Sequence, residues 1–547
     1  MHRGRLCYSN NQHGPSGHMN FNAVLPFYEQ SRVRPEWHAL VVGDTAISYG
    51  DLAALAQRIS SWLRSQTGGQ VARVGILASR SLEAYAGIIG TLWTGAAYVP
   101  IHPKTPDDRL IQLLRLICPD ALVVDSAGLG RLRGEVAKAC PRLVLAGDPP
   151  QKLKSAALSA GLPLADYHDL PDFDRSDQPS AVSERQLAYM IFTSGTTGVP
   201  KGVMVPVANI KQLTTVMQQL YEIQPDERVA QVFELAFDGS VLDMFITWNV
   251  GATLCVCPAE QLMGPVKFLK EQRLTSWNSA PSTAAFMDRM RMLTPGAFPH
   301  LRRSLFGGEA LPLATALAWQ AAAPNSVVDN VYGPTEATVI CIAQRLTNPP
   351  KVTKERGMVA IGRPFPGTEA AVLNSNLEPA PVGESGELAL AGKQLAEGYF
   401  NAPELTAARF PVLRGQRWYL TGDLVYQDAE LTLHHLGRID NQIKVLGNRV
   451  ELEDVEAHLR GITGTDLAAA VAWPLQGGSA SGIVAFHCAP GLSTAQVREG
   501  MKKRVPPYMV PSQVHYLQSL PLAGASGKID RKALVQMLEE GRFSEPA

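Results

Sequence analysis

Residues 190–202 read Met-Ile-Phe-Thr-Ser-Gly-Thr-Thr-Gly-Val-Pro-Lys-Gly: an apolar run, Leu187 to Thr193, opens into a loop dense in hydroxyls and glycine and ends on a lysine. Gly195, Gly198 and Gly202 let backbone amides approach a bulky anion, because glycine carries no Cβ. Thr193, Ser194, Thr196 and Thr197 add hydroxyl donors, and Lys201 adds a mobile positive charge. Such a set grips polyphosphate, and ATP is the expected ligand. A Walker A loop has Ser or Thr directly after its Gly-Lys, whereas here Lys201 precedes Gly202, so a different nucleotide chemistry is expected.

Four further stretches fit that chemistry. Asn330-Val331-Tyr332-Gly333-Pro334-Thr335-Glu336 joins an aromatic face, suited to a purine, to a carboxylate, a hard ligand for the Mg²⁺ that bridges ATP oxygens. Thr421-Gly422-Asp423 places a carboxylate beside a glycine turn. Gly437-Arg438-Ile439-Asp440 follows soon after. Near the chain end, Lys528 sits after Ala523-Gly524-Ala525-Ser526-Gly527, a cation flanked by small, flexible residues. Taken singly, each of these is an ordinary turn or a solvated loop residue. Their order after the 193–202 loop is what makes them a site.

The elements that must position these groups follow from periodicity. Leu52, Leu55, Ile59 and Leu63 repeat at helical spacing, Val74 to Leu77 form a β-like run, and Leu82 to Trp93 is helical again. A helix over 107–117 and strands over 121–124 and 142–146 continue the alternation. The pattern predicts an α/β fold, a parallel sheet covered by helices with ligands at the carboxyl ends of strands. Stretches 147–155, 171–182 and 346–357 read as surface loops. The uncharged run Tyr85 to Ile101 is too short and too rich in Gly, Thr and Pro to span a membrane, and reads as a buried helix entering a strand.

At 547 residues at least two domains are expected. The boundary falls at Leu436-Gly437-Arg438-Ile439-Asp440-Asn441, giving a large domain over 20–439 and a small α+β domain over 440–538. Fifty basic and fifty acidic side chains cancel, which leaves no broad field for nucleic acid or an anionic membrane. Seven scattered cysteines without paired spacing read as reduced and cytoplasmic. The first nineteen residues lack an apolar h-region, so no secretory signal is expected.

Together the motifs resemble an adenylation domain of the nonribosomal peptide synthetase type, in the superfamily shared with acyl-CoA synthetases and luciferases. The resemblance runs from Ile47-Ser48-Tyr49 through Trp93-Thr94-Gly95-Ala96-Ala97-Tyr98-Val99-Pro100-Ile101 to Ser526-Gly527-Lys528-Ile529-Asp530-Arg531-Lys532. It implies a large N-terminal domain of parallel and mixed sheets with covering helices, and a small mobile α+β C-terminal domain. It also implies roles. The 193–202 loop clamps the triphosphate; Asn330, Tyr332 and Gly333 form the adenine site with Tyr332 as the stacking ring; Thr335 lies near the α-phosphate and Glu336 toward Mg²⁺. Asp423 holds the ribose, Arg438 supports ribose or phosphate, Asp440 is the hinge, and Lys528 is the leading catalytic residue. In the implied reaction a carboxylate attacks the ATP α-phosphate to give an acyl-adenylate and pyrophosphate, and a thiol then takes the acyl group and releases AMP. The small domain swings between the two halves.

Phe237-Asp238-Gly239-Ser240-Val241-Leu242-Asp243 resembles the family motif whose aspartate grips an α-ammonium group, with Phe237 beside it as an aromatic gate. A carboxylate about 4 Å from an ammonium gains on the order of 4 kcal/mol at an effective dielectric near 20, before desolvation. The matching pocket walls are Gly239, Leu242, Asn278, Leu305, Gly307, Val331, Val339 and Ile340, largely aliphatic and without a charge opposing Asp238. Asn278 would bond a hydroxyl or face the backbone, and Gly239 and Gly307 are expected to open volume. The reading is activation of an uncharged, small to medium α-amino acid, loaded onto the phosphopantetheine thiol of a separate carrier protein. Ser304 to Pro312 and Asn330 to Val339 also resemble the stand-alone D-alanine–carrier protein ligases of cell-wall modification, although Gly307 stands where those ligases place a cysteine. D-alanine or glycine ligation, acyl-CoA ligation and an inactive nucleotide-binding scaffold stay open as alternatives.

Overall fold

Ser48 accepts a hydrogen bond from the Asp51 amide and so caps the helix Tyr49–Thr67, whose Leu52, Ala56, Ile59 and Leu63 are buried. A serine cap of this kind contributes about 1 kcal/mol. The next helix, Leu82–Trp93, is buried from Ala84 through Trp93, which is why its sequence reads as one apolar run. It passes into the strand Ala97–Ile101. The computed structural model describes residues 21–543 apart from 142, 148, 168–169, 172–173, 175, 194–199, 263, 355, 446, 477–478 and 524–527, and apart from the side chains of 475, 476, 479, 523 and 528.

Among the described residues, one sheet has eight strands in the order Gly398–Tyr399, Lys201–Pro206, Leu187–Thr193, Ala97–Ile101, Arg73–Leu77, Ala121–Val124, Val144–Ala146 and Leu164–Asp166. The six from Leu187–Thr193 onward are parallel. Lys201–Pro206 returns antiparallel to Leu187–Thr193, so the phosphate-loop sequence joins two paired strands at a carboxyl end of the parallel set. A second sheet, of nine strands, carries Arg228–Gln231, Ser276–Ser279, Arg303–Phe306 and Val327–Tyr332 as parallel neighbours. Helix Gly239–Val250 is buried between the sheets along Ser240 to Trp248. A four-stranded antiparallel sheet, Thr368–Leu373, Ser385–Gly392, Tyr419–Gln427 and Leu433–Arg438, completes this part.

After Arg438 the elements change character. A hairpin, Gln442–Val445 with Asn448–Glu451, leads into helix Leu452–Thr463, and three strands, Ala468–Ala472, Ile483–His487 and Gln513–Tyr516, form their own sheet. Helix Thr494–Arg504 starts with a capping box between Ser493 and Gln496. One apolar cluster here runs from Val445 to Val514 and draws no residue from the earlier sheets.

One expected loop is corrected. Residues 151–155 belong to a helix, Gln151–Ser159, that starts directly after Pro149-Pro150. Proline before a helix presets the backbone for entry rather than marking a loop, and only Ala157 of this helix is buried, so the apolar signal was weak. No described helix is long and apolar enough to cross a membrane. The described cysteines, Cys118, Cys140, Cys255, Cys257, Cys341 and Cys488, are all free.

Candidate active site

The strand ends open on a cavity of about 720 Å³. Gly239, Leu242, Asn278, Leu305, Gly307, Val331, Val339 and Ile340 all line it, together with Phe237, Asp238, Asn330, Tyr332, Gly333, Thr335, Asp423 and Arg438. Parallel register explains part of this convergence: Asn278 pairs with Leu305 across neighbouring strands, and Phe306 pairs with Asn330 one strand further on.

Asp423 is the centre of one half. The Tyr332 hydroxyl donates to its Oδ2 at 2.5 Å, Arg438 Nη1 donates to Oδ1 at 3.0 Å, and His435 Nε2 lies 3.1 Å from Oδ1. Burial alone would raise the pKa of this carboxyl, but His435 and Arg438 override it and hold the group well below the usual range. Arg438 also grips Asp440 with two bonds, 2.9 Å to Oδ1 and 2.7 Å to Oδ2, and donates to the Thr421 carbonyl. The ribose-type motif and the hinge motif are therefore one network. Gly422 sits inside it at φ +75°, and a Cβ there would lie 2.7 Å from Arg438 Nη2, so only glycine fits. Asn330 is a structural anchor, since its amide donates to the Val359 and Ala360 carbonyls at 3.2 and 2.8 Å.

Glu336 lies in a short 3-10 turn, Thr335–Ala337, and is 1% exposed. Tyr399 donates to Oε1 and Arg449 to Oε2, each at 2.8 Å. Burial works against this carboxylate, yet Arg449 outweighs it and brings its pKa down to about 2. Lys201 is 3.3 Å from Glu451, so two groups of the expected phosphate and metal site are engaged by residues of the hairpin after Arg438. The same hairpin brings Lys444 and Gly447 to the cavity, and the Gly447 amide donates to Glu309 Oε1 at 2.6 Å. Tyr399 and Arg449 together engage both Glu336 oxygens.

Asp238 starts the helix Gly239–Val250 without capping it. Burial raises its pKa, while Thr335 and Lys444 pull the other way. Lys444, whose own pKa is lowered chiefly by burial, is thus the cation nearest in effect to Asp238. The Phe237 ring faces Tyr508 at 6.3 Å.

The expected volume at two glycines is corrected. A Cβ on Gly239 would fall 2.6 Å from Phe233 Cδ2, and one on Gly307 would fall 2.9 Å from Val331 Cγ2. Neighbouring side chains already fill that space, so glycine is needed for close approach and neither position opens volume. The wall opposite is held under backbone strain: Thr338 and Val339 have φ of +57° and +68°, and β-branched residues there are true outliers. Buried amides clamp the strained segment. Asn209 donates to Thr338 Oγ1 at 2.9 Å, and Gln394 donates to the Thr338 and Ile340 carbonyls at 3.3 and 2.8 Å.

Phe233, His435, Lys444 and Arg449 were not read from sequence as site residues. His435 carried a signal, as a histidine within a strand two residues ahead of the Gly437-Arg438 motif; the others depend on packing alone. Ser194, Gly195, Thr196, Thr197 and Gly198 lie outside the described residues, and so does the Lys528 side chain, whose backbone pairs in the short strands Leu522–Ala523 and Lys528–Ile529. Thr193 ends its strand beside the cavity.

The family model described as AMP-binding enzyme matches residues 27–400. The chain is 32% identical over 512 residues to a dimodular nonribosomal peptide synthase of Bacillus subtilis, a match covering 93% of this chain and 20% of that protein. It is 33% identical over 539 residues to phosphinothricin tripeptide synthetase PhsC of Streptomyces viridochromogenes, covering 96% of this chain and 46% of that one. The chain thus spans less than half the length of either relative. The crystal structure of the Vibrio cholerae adenylation domain AlmE in complex with glycyl-adenosine-5'-phosphate superposes with a TM-score of 0.86 at 30% identity, over 97% of this chain and all of that one. The chain belongs to the AMP-binding enzyme family, as an adenylate-forming adenylation domain of the nonribosomal peptide synthetase type.

Proposed function

We propose that this adenylation domain activates an uncharged, small to medium α-amino acid with ATP and Mg²⁺ and passes it to the phosphopantetheine thiol of a carrier protein, in the cytoplasm. One observation carries the reading: Asp238 opens onto the same cavity as Tyr332 and Asp423, and the walls read as the side-chain pocket are uncharged. Asp238 would hold the α-ammonium group, because a carboxylate at a partly desolvated cavity wall attracts an ammonium more strongly than it would in water. Phe233 and Val331, which fill the space a Cβ on Gly239 or Gly307 would take, support a small side chain. The glycyl adenylate bound by AlmE is in keeping with that size.

Asp423 and Tyr332 would hold the adenosine, and Lys201 with the 193–198 loop would hold the leaving pyrophosphate. Lys528 would neutralise charge as the amino acid carboxylate attacks the α-phosphate, in the orientation where Glu336 is free for Mg²⁺. We take residues 20–439 and 440–538 as the two domains, with Asp440 as hinge. The contacts of Arg449 with Glu336 and of Glu451 with Lys201 favour the orientation described here as the one for thiol transfer, because they use groups that triphosphate and metal would need.

The test is a transfer assay with radiolabelled amino acid, offering phosphopantetheinylated carrier protein and coenzyme A as acceptors. Label on the carrier is the expected result. Efficient transfer to coenzyme A alone would make the enzyme an acyl-CoA ligase, and an ATP-binding protein that forms no adenylate would be a scaffold.

A further inference from the structure

Arg356 falls in none of the motifs and lies in the 346–357 stretch that reads as a surface loop, yet its side chain lines the cavity. Its Nη1 is 2.9 Å from His435 Nδ1 and also donates to the His435 carbonyl at 3.4 Å, so one guanidinium nitrogen holds both the ring and its backbone. A guanidinium has donors only, and His435 Nδ1 is therefore the acceptor. The ring proton is then on Nε2, 3.1 Å from Asp423 Oδ1, and is donated to that carboxylate. Charge fits this arrangement. Asp423 and Asp440 bring two negative charges to the network and Arg438 one positive charge, and Arg356 supplies the second. From the nine-stranded sheet, the Tyr332 hydroxyl donates to the other Asp423 oxygen.

We propose that Arg356 is a positioning residue of the nucleotide site: by donating to His435 Nδ1 it fixes the ring as an Nε2 donor, and the ring holds Asp423 toward the ribose. This rests on the role in adenosine binding given to Asp423 above. A carboxylate offers about four lone-pair directions. Tyr332, Arg438 and His435 fill three of them and fix both oxygens, and Asp423 turns the remainder to the cavity. Without Arg356 nothing at Nδ1 selects the tautomer, and a ring with its proton on Nδ1 sets a bare nitrogen against the carboxylate. The nucleotide then loses the share of its affinity that comes from the ribose hydroxyls, and keeps the shares from adenine and phosphates.

The experiment has two readouts on the full chain. Imidazole nitrogen NMR with isotope-labelled histidine, assigned through His435→Gln, is expected to show a bare Nδ1 and a protonated Nε2 near neutral pH. A proton on Nδ1, or an imidazolium at that pH, would overturn the proposal with no substitution that acts on folding. The second readout is calorimetric binding of ATP and of 2′,3′-dideoxy-ATP, with Mg²⁺ and without amino acid. Wild type is expected to favour ATP by at least about tenfold, and Arg356→Met to cut that preference at least about fivefold while binding the dideoxy nucleotide as wild type does. His435→Phe should match Arg356→Met, and His435→Gln, whose amide keeps a donor beside Asp423, should recover most of the preference. A merely structural role, or a direct contact with base or phosphate, weakens both nucleotides alike; that result would overturn the proposal, as would an unchanged preference in Arg356→Met. Wild-type protein that binds the two nucleotides equally removes the ribose role of Asp423 and this proposal together, and leaves amino-acid activation standing. Wild-type protein that binds neither overturns the adenylation reading as well.

Discussion

Arg449 Nη1 meets Glu336 Oε2 at 2.8 Å, joining the hairpin of the small C-terminal unit to the turn that carries the candidate metal ligand. The Glu336 side chain is 1% exposed and the Arg449 side chain 17%, so the pair lies largely out of solvent. Under the proposed role of Glu336 as a Mg²⁺ ligand, Arg449 and the metal would compete for this one carboxylate.

Removing Arg449 tests that competition. Arg449→Ala leaves Glu336 buried without its cation in this orientation, a loss of roughly 3 to 5 kcal/mol for a broken buried pair. Thiol transfer from preformed adenylate is expected to fall at least about tenfold, by the free-energy relation of rate to barrier, while pyrophosphate exchange changes little. Single-turnover measurement of the two half-reactions separates these outcomes. Equal loss in both would show that Arg449 serves the whole fold.

The acid dependence of stability follows from the same pair. Glu336 has a pKa of about 2 against an ordinary 4.5, so it binds protons less readily in the folded state. Its stabilising contribution is complete above the unfolded value of 4.5 and is lost as pH falls toward 2. The size is on the order of 3 kcal/mol. Relative to Glu336→Gln, the wild-type protein is expected to have the higher Tm at pH 7, with the difference shrinking steadily below pH 4.5. A difference that is constant with pH would remove the ion pair from the account.

Substrate binding should show the opposite limb at Asp238. Burial first of all raises the pKa of this carboxyl, and only its ionised form attracts an α-ammonium group. Amino-acid KM is therefore expected to rise as pH falls through that raised value, and Asp238→Asn should abolish the dependence. Asp238→Ala should weaken binding by roughly 1.5 to 3 kcal/mol, about 10- to 150-fold in KM. Steady-state kinetics between pH 5 and 8, on the enzyme and both variants, checks the sign.

Legibility in the sequence divided along a physical line. Helices Tyr49–Thr67, Leu82–Trp93 and Asp107–Ile117 were readable because a buried stripe or a wholly buried run imposes a period on neighbouring residues. The convergence of Tyr332, Asp238 and Asp423 was readable only through motif order. Phe233 was not, because its ring fills the space over Gly239 from six positions earlier in an irregular stretch, where no helical or strand period links the two residues. Arg449 and Lys444 were hidden for a similar reason: their partners are about 110 to 200 positions away, a separation at which spacing carries no information.

Phe233 gives a test of the corrected pocket shape. Phe233→Ala removes the ring that a Cβ on Gly239 would meet at 2.6 Å. The variant is expected to accept larger amino acids, leucine or phenylalanine, with at least about a tenfold gain in kcat/KM relative to wild type, the scale on which added volume in an apolar pocket acts. Gly239→Ala in the wild-type background should narrow the pocket and reduce exchange for every amino acid. A Phe233→Ala enzyme with an unchanged size profile would mean that the ring does not bound the pocket.

Amino-acid-dependent exchange of labelled pyrophosphate into ATP tests the central claim most directly. With the purified chain, Mg²⁺ and a panel of proteinogenic and D-amino acids, exchange above background is expected with one or a few small, uncharged amino acids, and none is expected with fatty or aryl acids. Folded protein that gives no exchange with any amino acid, or that responds only to a carboxylic acid without an α-ammonium group, would contradict it.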